Sequence, residues 1–412
     1  MNIKIVLNQP YPKGMASTHR VHLYAKGMAK LGHNVQILVP IPHSFNEKLG
    51  NKSTSGSHEG ISYVYPSGTS VRSTSFIARR LHDLLGVLNA GWSIIKSKEN
   101  TDAIILVSVV SFHIIFFKII SALSGSVYLT ECNEYPFAFS SGKSLKTQKW
   151  YQKFYINWII PQFDGLIVIS NNLLNFYQER IRNKVQYALI PVLVDVAEFA
   201  SVNVDRKNIV AYAGNLSDDK DGLYTQIRAF AKASQQIDDL EFYIIGNAQR
   251  PSTKEKALEL IRELGIENKV KFTGFVSRKE LVEIFRSASA LMLFKPNSIQ
   301  AEYCFPSKIA EYLAAQSPVV TTSTGELKNY LIHEQTALLS APEDQEGLAR
   351  NLIKALSDSN LAEKISQNGF EVAQKHFDYQ AQSREIITFI SRITNQDSQS
   401  ITKDKELKTV SS

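Results

Sequence analysis

The stretch NIVAYAGNLSDDKDG, residues 208–222, begins as a β-branched and aromatic apolar run, breaks at Gly214, and carries Asp218, Asp219, Lys220 and Asp221 into a helical pattern. An apolar run, a glycine turn and a helix start are the marks of a strand feeding a helix. Here they mark a restart. The same rhythm runs before it, through Ile3 to Leu7, a helix over His19 to Leu31, Val35 to Val39, Ala103 to Val110 and Gly165 to Ile169. It runs again after it, through Glu241 to Ile245, Val270 to Thr273, Ala290 to Phe294 and Pro318 to Thr322. Short apolar strands alternating with helices build parallel sheets covered on both faces. The reading is therefore α/β, with two Rossmann-like domains facing a central cleft, since such sheets bind ligands at the carboxyl ends of their strands. The expected division is an N-terminal domain over 1–192, a hinge over 193–207 and a C-terminal domain over 208–378. A last amphipathic helix over 379–394, able to cross back, precedes a tail over 395–412 expected to be disordered for want of aromatic anchors. The Ser- and Gly-rich stretch Asn51 to Gly60 is expected to be flexible.

Composition supports a folded protein. Of 412 residues, 44% are hydrophobic and 21% charged, which excludes a disordered or collagen-like chain. The net charge of +7 is uneven: residues 1–200 hold 20 Lys and Arg against 11 Asp and Glu, or +9, and the remainder holds 26 against 28, or −2. A basic first half fits an anionic partner or a solubilising surface. Cys132 and Cys304 lie far apart, so neither a disulfide framework nor a cysteine zinc site is indicated, and a cytoplasmic location is expected. The apolar run Ala103 to Phe117 contains His113 and is shorter than the roughly 20 residues of a membrane span. It reads as strand, helix over Phe112 to Leu123, then strand over Ser126 to Thr130.

Several clusters carry chemistry. Gly214 lets the backbone approach a phosphate, and Lys220 supplies a charge-assisted hydrogen bond. Asp219 and Asp221 read as helix-start acids rather than a metal pair. The densest cluster is Glu302 to Ala315, followed by Ser317 to Thr322 and by Gly325 and Glu326. Pro306 and Ser307 start a helix whose first turn carries Lys308, against the dipole, and whose next turn carries Glu311. A phosphate partner explains that lysine; the alternative is an (i, i+3) pair with Glu311. In the first half, Gly14 and Met15 sit in a strand-to-helix turn, where backbone N–H groups face an anion or a sugar hydroxyl. Glu131 and Glu134 follow a strand, and Glu134 is the favoured carboxylate to orient or deprotonate an acceptor hydroxyl. Lys143, Lys146, Lys149 and Lys153 fall on one arc of a helix and Tyr151, Phe154, Tyr155, Trp158 and Ile159 on another. That pattern fits either a membrane surface or packing into the domain. His19 and His22 have a zinc-compatible spacing but no third ligand in sequence, so no metal is expected. Neither a nucleic-acid module nor a hydrolase nucleophile elbow is present.

The segments Gly214 to Gly222 and Phe305 to Glu326 give the chain its resemblance to the retaining glycosyltransferases of family 4, which have the GT-B architecture, over nearly the whole length to about residue 394. Gly214, Leu216 and Lys220 match the family's phosphate-cradling stretch, and Glu311 matches the second of two glutamates with seven residues between them, the one that contacts the ribose. Pro191, Asp195 and Phe199 match the segment leading to the hinge. The resemblance implies that Gly214, Asn215, Lys220, Gly246, Phe275, Val276, Phe305, Pro306, Ser307, Lys308 and Glu311 hold a nucleotide-diphosphate sugar of the UDP or GDP type. It places Gly14, Met15, Glu131 and Glu134 on the acceptor side, with Lys220, Glu134 and Glu311 catalytic. It implies no cofactor and no obligatory metal. Asn215 stands where the family has arginine, a cation that Lys295 or Lys308 would replace; Tyr303 stands eight residues before Glu311, with Glu302 one place earlier. The expected activity is transfer of a sugar, with retention, to a polysaccharide or lipid-linked acceptor, at the cytoplasmic side and with peripheral membrane contact through the basic half. A sugar-nucleotide epimerase, a phosphorylase, or a silent nucleotide-binding homologue are the alternatives.

Overall fold

The computed structural model describes residues 1–43, 51–97, 100–137, 145–182, 184–248 and 250–410, with the helical backbone alone at 145–149 and 396–410. Two compact units divide them, one formed by Met1–Pro191 with Tyr379–Ser412 and the other by Val192–Asp378.

The first unit holds β1 (Asn2–Leu7), α1 (Ala16–Lys30), β2 (Asn34–Leu38), β3 (Ser55–His58), β4 (Ile61–Val64), α2 (Phe76–Ile95), β5 (Ala103–Val107), α3 (Ser111–Ser124), β6 (Val127–Cys132), α4 (Leu145–Phe154), β7 (Gly165–Val168), α5 (Asn171–Arg180) and β8 (Gln186–Leu189). Its sheet runs in the order β3-β4-β2-β1-β5-β6-β7-β8. β3 and β4 pair antiparallel and the other neighbours parallel, with Ile3 beside both Val35 and Ala103. The central strands are apolar on both faces: Ile3, Ile5, Val6, Ile104 and Ile105 are wholly buried. Ala103 to Phe117 divides between strand and helix, and among the described residues no helix is long and apolar enough to cross a membrane. The segment expected to be flexible, Asn51 to Gly60, instead supplies β3. Its serines and glycine are tolerated because β3 is an edge strand whose side chains largely face solvent, so little burial is asked of them.

The second unit holds α6 (Val196–Ala200), β9 (Lys207–Ala213), α7 (Asp218–Asp221), α8 (Leu223–Ala233), β10 (Glu241–Ile245), α9 (Pro251–Glu263), β11 (Val270–Gly274), α10 (Arg278–Ser287), β12 (Ala288–Leu293), α11 (Ile299–Tyr303), α12 (Ser307–Ala314), β13 (Val319–Thr322), β14 (Leu338–Ser340), α13 (Gln345–Ser357) and α14 (Ser359–Val372). Its strands run β11-β10-β9-β12-β13-β14, every neighbour parallel. Serine and aspartate caps start the helices: Ser217, Ser277 and Ser298 each accept from the backbone N–H three residues on. Most of the expected hinge, 193–207, folds as part of this unit, with Asp195 capping α6 and Phe199 buried. The final helix, α15 (Tyr379–Val410), returns to the first unit. The Ser383 hydroxyl donates to the carbonyl of Tyr24 at 3.2 Å where Gly27 leaves room for it, and Lys30 donates to the Tyr379 hydroxyl at 2.6 Å. The helical backbone continues past Thr394, where the sequence reading placed a tail, because residues 395–410 contain neither glycine nor proline to stop it.

One face of the first unit is unusual. α2 and α3 pack together, yet they expose Ile77 (79%), Trp92 (58%) and Leu123 (67%) along with Phe76, Leu81 and Ile119. So many large apolar side chains exposed on two neighbouring helices mark a candidate interaction surface.

Candidate functional site

β9 lies between β10 and β12, so the chain reverses its direction of travel across the sheet at β9 and opens a crevice at the carboxyl ends of β9 and β12. Three glycines line up beside it. The N–H of Gly214 donates to the carbonyl of Ile245 at 3.0 Å, and the N–H of Gly246 donates to the carbonyl of Gly274 at 2.9 Å. Gly246 has φ +122°, and a Cβ there would stand 2.1 Å from the carbonyl oxygen of Gly214. Only glycine fits. The ends of β9, β10 and β11 are therefore joined through glycine backbone packed too closely for a Cβ at Gly246.

Charge is packed around this floor. Ser217 caps α7, the short turn that carries Lys220, and Lys220 is half-buried. Asp221 is a cross-link rather than a metal ligand: its Oδ2 accepts from the Tyr212 hydroxyl at 2.7 Å and its Oδ1 from Lys295 at 2.5 Å. Lys295 also donates to the carbonyl of Lys220 at 3.0 Å, so of the two lysines suggested as substitutes for the missing arginine at Asn215, it is Lys295 that touches the Gly214–Gly222 loop. Thr322 pins the end of β12 to β13, accepting from the N–H of Lys295 at 2.9 Å and donating to its carbonyl at 3.0 Å.

Glu311 arrives from α12. The next residue, Tyr312, is fully buried, and its hydroxyl accepts from the N–H of Ala213 at 2.9 Å, which locks α12 onto the carboxyl end of β9 one residue before Gly214. The helix that carries Glu311 thus packs against the strand that leads into the Gly214–Gly222 loop. Glu311 is only 5% exposed and carries two cations, Arg278 on Oε1 at 2.5 Å and Lys308 on Oε2 at 3.3 Å. The (i, i+3) pair is formed. Arg278 also grips Glu198 of α6 at 2.7 Å and lies over the ring of Phe199. Burial works against the charge of Arg278, but Glu311 and Glu198 outweigh it and raise its pKa above the ordinary arginine range. A buried carboxylate between two cations stays oriented, which is what recognition of a diol requires.

The remaining residues divide. Pro306 and Ser307 begin α12 without a side-chain cap, leaving the first-turn N–H groups to other acceptors. Phe275, 45% exposed, and half-buried Val276 stand just past β11. Phe305 does not line the crevice as expected: it is 4% exposed and stacks on Tyr330 at 5.3 Å beside Phe377, because an aromatic ring before the helix start is worth more in the core. Glu302 is exposed on α11, a separate helix from α12, so the offset from the family spacing persists.

In the first unit, Glu131 is not available to an acceptor. Its side chain is fully buried and paired with Arg20, which also donates to the carbonyls of Ile190, at 2.8 Å, and Pro191. Glu134 is exposed, as is Met15, whereas Gly14 sits against Thr18. Lys143 lies outside the described residues, and the side chains of Lys146 and Lys149 are likewise outside; Lys153 and Trp158 are exposed, while Tyr155 and Ile159 are buried. Sequence reading missed Arg278, Glu198 and the paired tyrosines Tyr212 and Tyr312. The one signal was the S-x-x-E cap over Ser277 to Glu280, which starts the helix carrying Arg278 but says nothing of its partners.

The fold and this site define the class: two Rossmann-like units of the GT-B glycosyltransferase architecture, with a charged crevice in the second. Residues 195–372, most of that second unit, match the family described as "Glycosyl transferases group 1". A 2-deoxystreptamine N-acetyl-D-glucosaminyltransferase of Niallia circulans is 26% identical over 159 residues, 39% of each chain. The chain spans about two fifths of the length of the curated relatives it matches. Similar folds include sucrose-phosphate synthase from Thermosynechococcus elongatus, with TM-score 0.72 and 17% identity over 96% of this chain and 99% of that one. Anabaena HepE, solved with UDP and glucose, has TM-score 0.68 and 17% identity over 95% of this chain and 100% of the other.

Proposed function

We propose that the protein is a retaining glycosyltransferase that moves a sugar from a nucleotide-diphosphate donor of the UDP or GDP type to a hydroxyl of a glycan or lipid-linked acceptor. The observation that supports this reading is that the glycine-joined ends of β9, β10 and β11, the Lys220 loop and the helix carrying the doubly paired Glu311 all lie in one unit, with Tyr312 of that helix bonded to Ala213. In the proposed mechanism Lys220, backed by Lys295 and Lys308, stabilises the charge that develops on the departing diphosphate. Glu311 accepts from the ribose hydroxyls, Phe275 and Val276 border the base, and the backbone N–H of Ser307 donates to a phosphate oxygen. Glu134, exposed beyond β6, orients the acceptor hydroxyl. Calorimetric titration with UDP and GDP tests the donor site. Lys220→Ala is expected to weaken one of them about 10- to 100-fold, the loss of one charge-assisted hydrogen bond, with an unchanged melting temperature. Absence of binding to both nucleotides would sink the reading. A silent homologue would bind nucleotide yet give no product with any nucleotide sugar, and the anomeric configuration of the product, read by NMR, tests retention.

A second element belongs to the same reading: peripheral association with a membrane on its cytoplasmic side, through the exposed α2–α3 face rather than the lysine arc of α4. That face combines large apolar side chains with Arg79, Arg80 and Lys96, the last 4.7 Å from the ring centre of Trp92. Sedimentation with anionic liposomes should fall at least tenfold for a combined Ile77→Gln, Leu81→Gln, Trp92→Gln variant. Unchanged sedimentation removes the face from consideration.

A further inference from the structure

His22 was set aside in sequence for lack of a third ligand, yet the fold supplies two that lie far away in the chain. The turn after β3 brings His58 and Glu59 against α1, and one ligand atom from each of His22, His58 and Glu59 lies within 4.8 Å of the others. Nε2 of His22 is 3.6 Å from Oε2 of Glu59, and Nε2 of His58 is 3.9 Å from Oε1 of the same carboxylate. Zinc bonds of about 2.0–2.1 Å in a tetrahedron set ligand atoms about 3.4 Å apart, so ligand atoms within 4.8 Å of one another close on an ion through shifts of about 1 Å or less.

Two further features prepare His22. It is 6% exposed, and its Nε2 has no hydrogen-bond partner among the described residues. A buried imidazole nitrogen without a partner costs free energy that a ligand would offset. Its other nitrogen, Nδ1, is fixed by the hydroxyl of Tyr11 at 2.8 Å, and Tyr11 is itself held by Tyr65 through its N–H at 3.0 Å and its carbonyl at 2.8 Å. That is how metal-binding histidines are ordinarily oriented, with the second nitrogen tied to a fixed oxygen.

We propose that His22, His58 and Glu59 form a binding site for a divalent transition metal of the zinc type, which staples the β3–β4 edge hairpin to α1 and, through Tyr11, steadies the turn between β1 and α1. Lys26 holds Oε2 of Glu59 at 2.6 Å, so it is the resident competitor; Oε1, the oxygen nearer His58, is left for the ion. The site lies in the first unit and does not depend on the donor crevice.

The test is calorimetric titration of the full chain with Zn²⁺ after chelator treatment, with visible absorption of the Co²⁺ form as a second readout. One saturable equivalent is expected, with the absorption of a tetrahedral site. His58→Ala and Glu59→Gln, both on the solvent side of the turn, should each weaken binding tenfold or more, so the conclusion does not depend on the buried His22 variant folding. Lys26→Met should tighten binding severalfold by removing the competing ammonium. Absence of a saturable equivalent, or binding that His58→Ala and Glu59→Gln leave intact, overturns the proposal.

Discussion

Both units reverse strand order beside one central strand, at β1 between β2 and β5 and at β9 between β10 and β12, yet the chain treats the two sheet ends differently. Near the first, the strongest ionic pair, Arg20 with Glu131, is sealed inside and spent on the protein's own carbonyls. In the second, Lys295 pairs with Asp221, and Lys308 and Arg278 pair with Glu311. The same architecture is therefore used in two ways: one end seals its ion pair inside, while the other leaves its ion pairs partly exposed. What separates them is how far the cation is exposed: 9% for the Arg20 side chain, against 29% for Lys308 and 32% for Arg278.

The sharpest way to break this contrast is to remove the central arginine from each unit. Arg20→Ala leaves the Glu131 carboxylate buried without its cation, a loss of about 3–5 kcal/mol. A fall on the order of 10 °C in the melting of the first unit is expected by calorimetry, with nucleotide affinity unaltered. Arg278→Met should cost somewhat less, about 3 kcal/mol, because water reaches one side of the guanidinium, but it should also weaken nucleotide binding by releasing Glu311. Equal affinity losses for both variants would mean that the contrast is wrong. Glycines sharpen it next. Gly246→Ala drives a Cβ into the carbonyl of Gly214 and should cost about 2 kcal/mol and at least tenfold in nucleotide affinity. Gly125→Ala in the first unit, where a Cβ meets nothing within 4 Å, should cost only about 1 kcal/mol, with affinity unchanged.

A further effect concerns acid. Burial, and then the charge of Arg72, hold His43 of the first unit down to about 4. Unfolded histidine titrates near 6.5, so below that pH the unfolded chain takes up a proton that the folded one refuses. The stability is complete above pH 6.5 and is lost as pH falls toward 4, by about 1–2 kcal/mol at pH 5. His43→Asn should flatten that part of the first unit's stability profile between pH 7 and 5, as followed by urea titration at each pH.

How much of this was legible in the chain varies with the range of the interaction. The strands on either side of Gly214 could be read directly, because continuous β-branched runs ending in glycine have few alternatives. Lys308 and Glu311 lie three apart on one helix, so their pairing was an open option from spacing alone. Phe305 was misplaced, since nothing local distinguishes an aromatic that lines a crevice from one that fills a core. Arg278 was overlooked because its two carboxylates come from 80 residues before it and 33 after it. The metal ligands show the same limit: His19 and His22 were neighbours in sequence, but His22 finds its company in His58 and Glu59.

The sequence by itself determined the α/β alternation, the restart at residue 208 and the chemistry available at Gly214, Lys220 and Glu311, because strand patterning, glycine turns and helix starts are governed by interactions within a few residues. Only the tertiary structure decided which carboxylate is buried, which lysine meets Asp221 and where the last helix packs. Those outcomes depend on desolvation and on partners that become neighbours only when the sheet has closed.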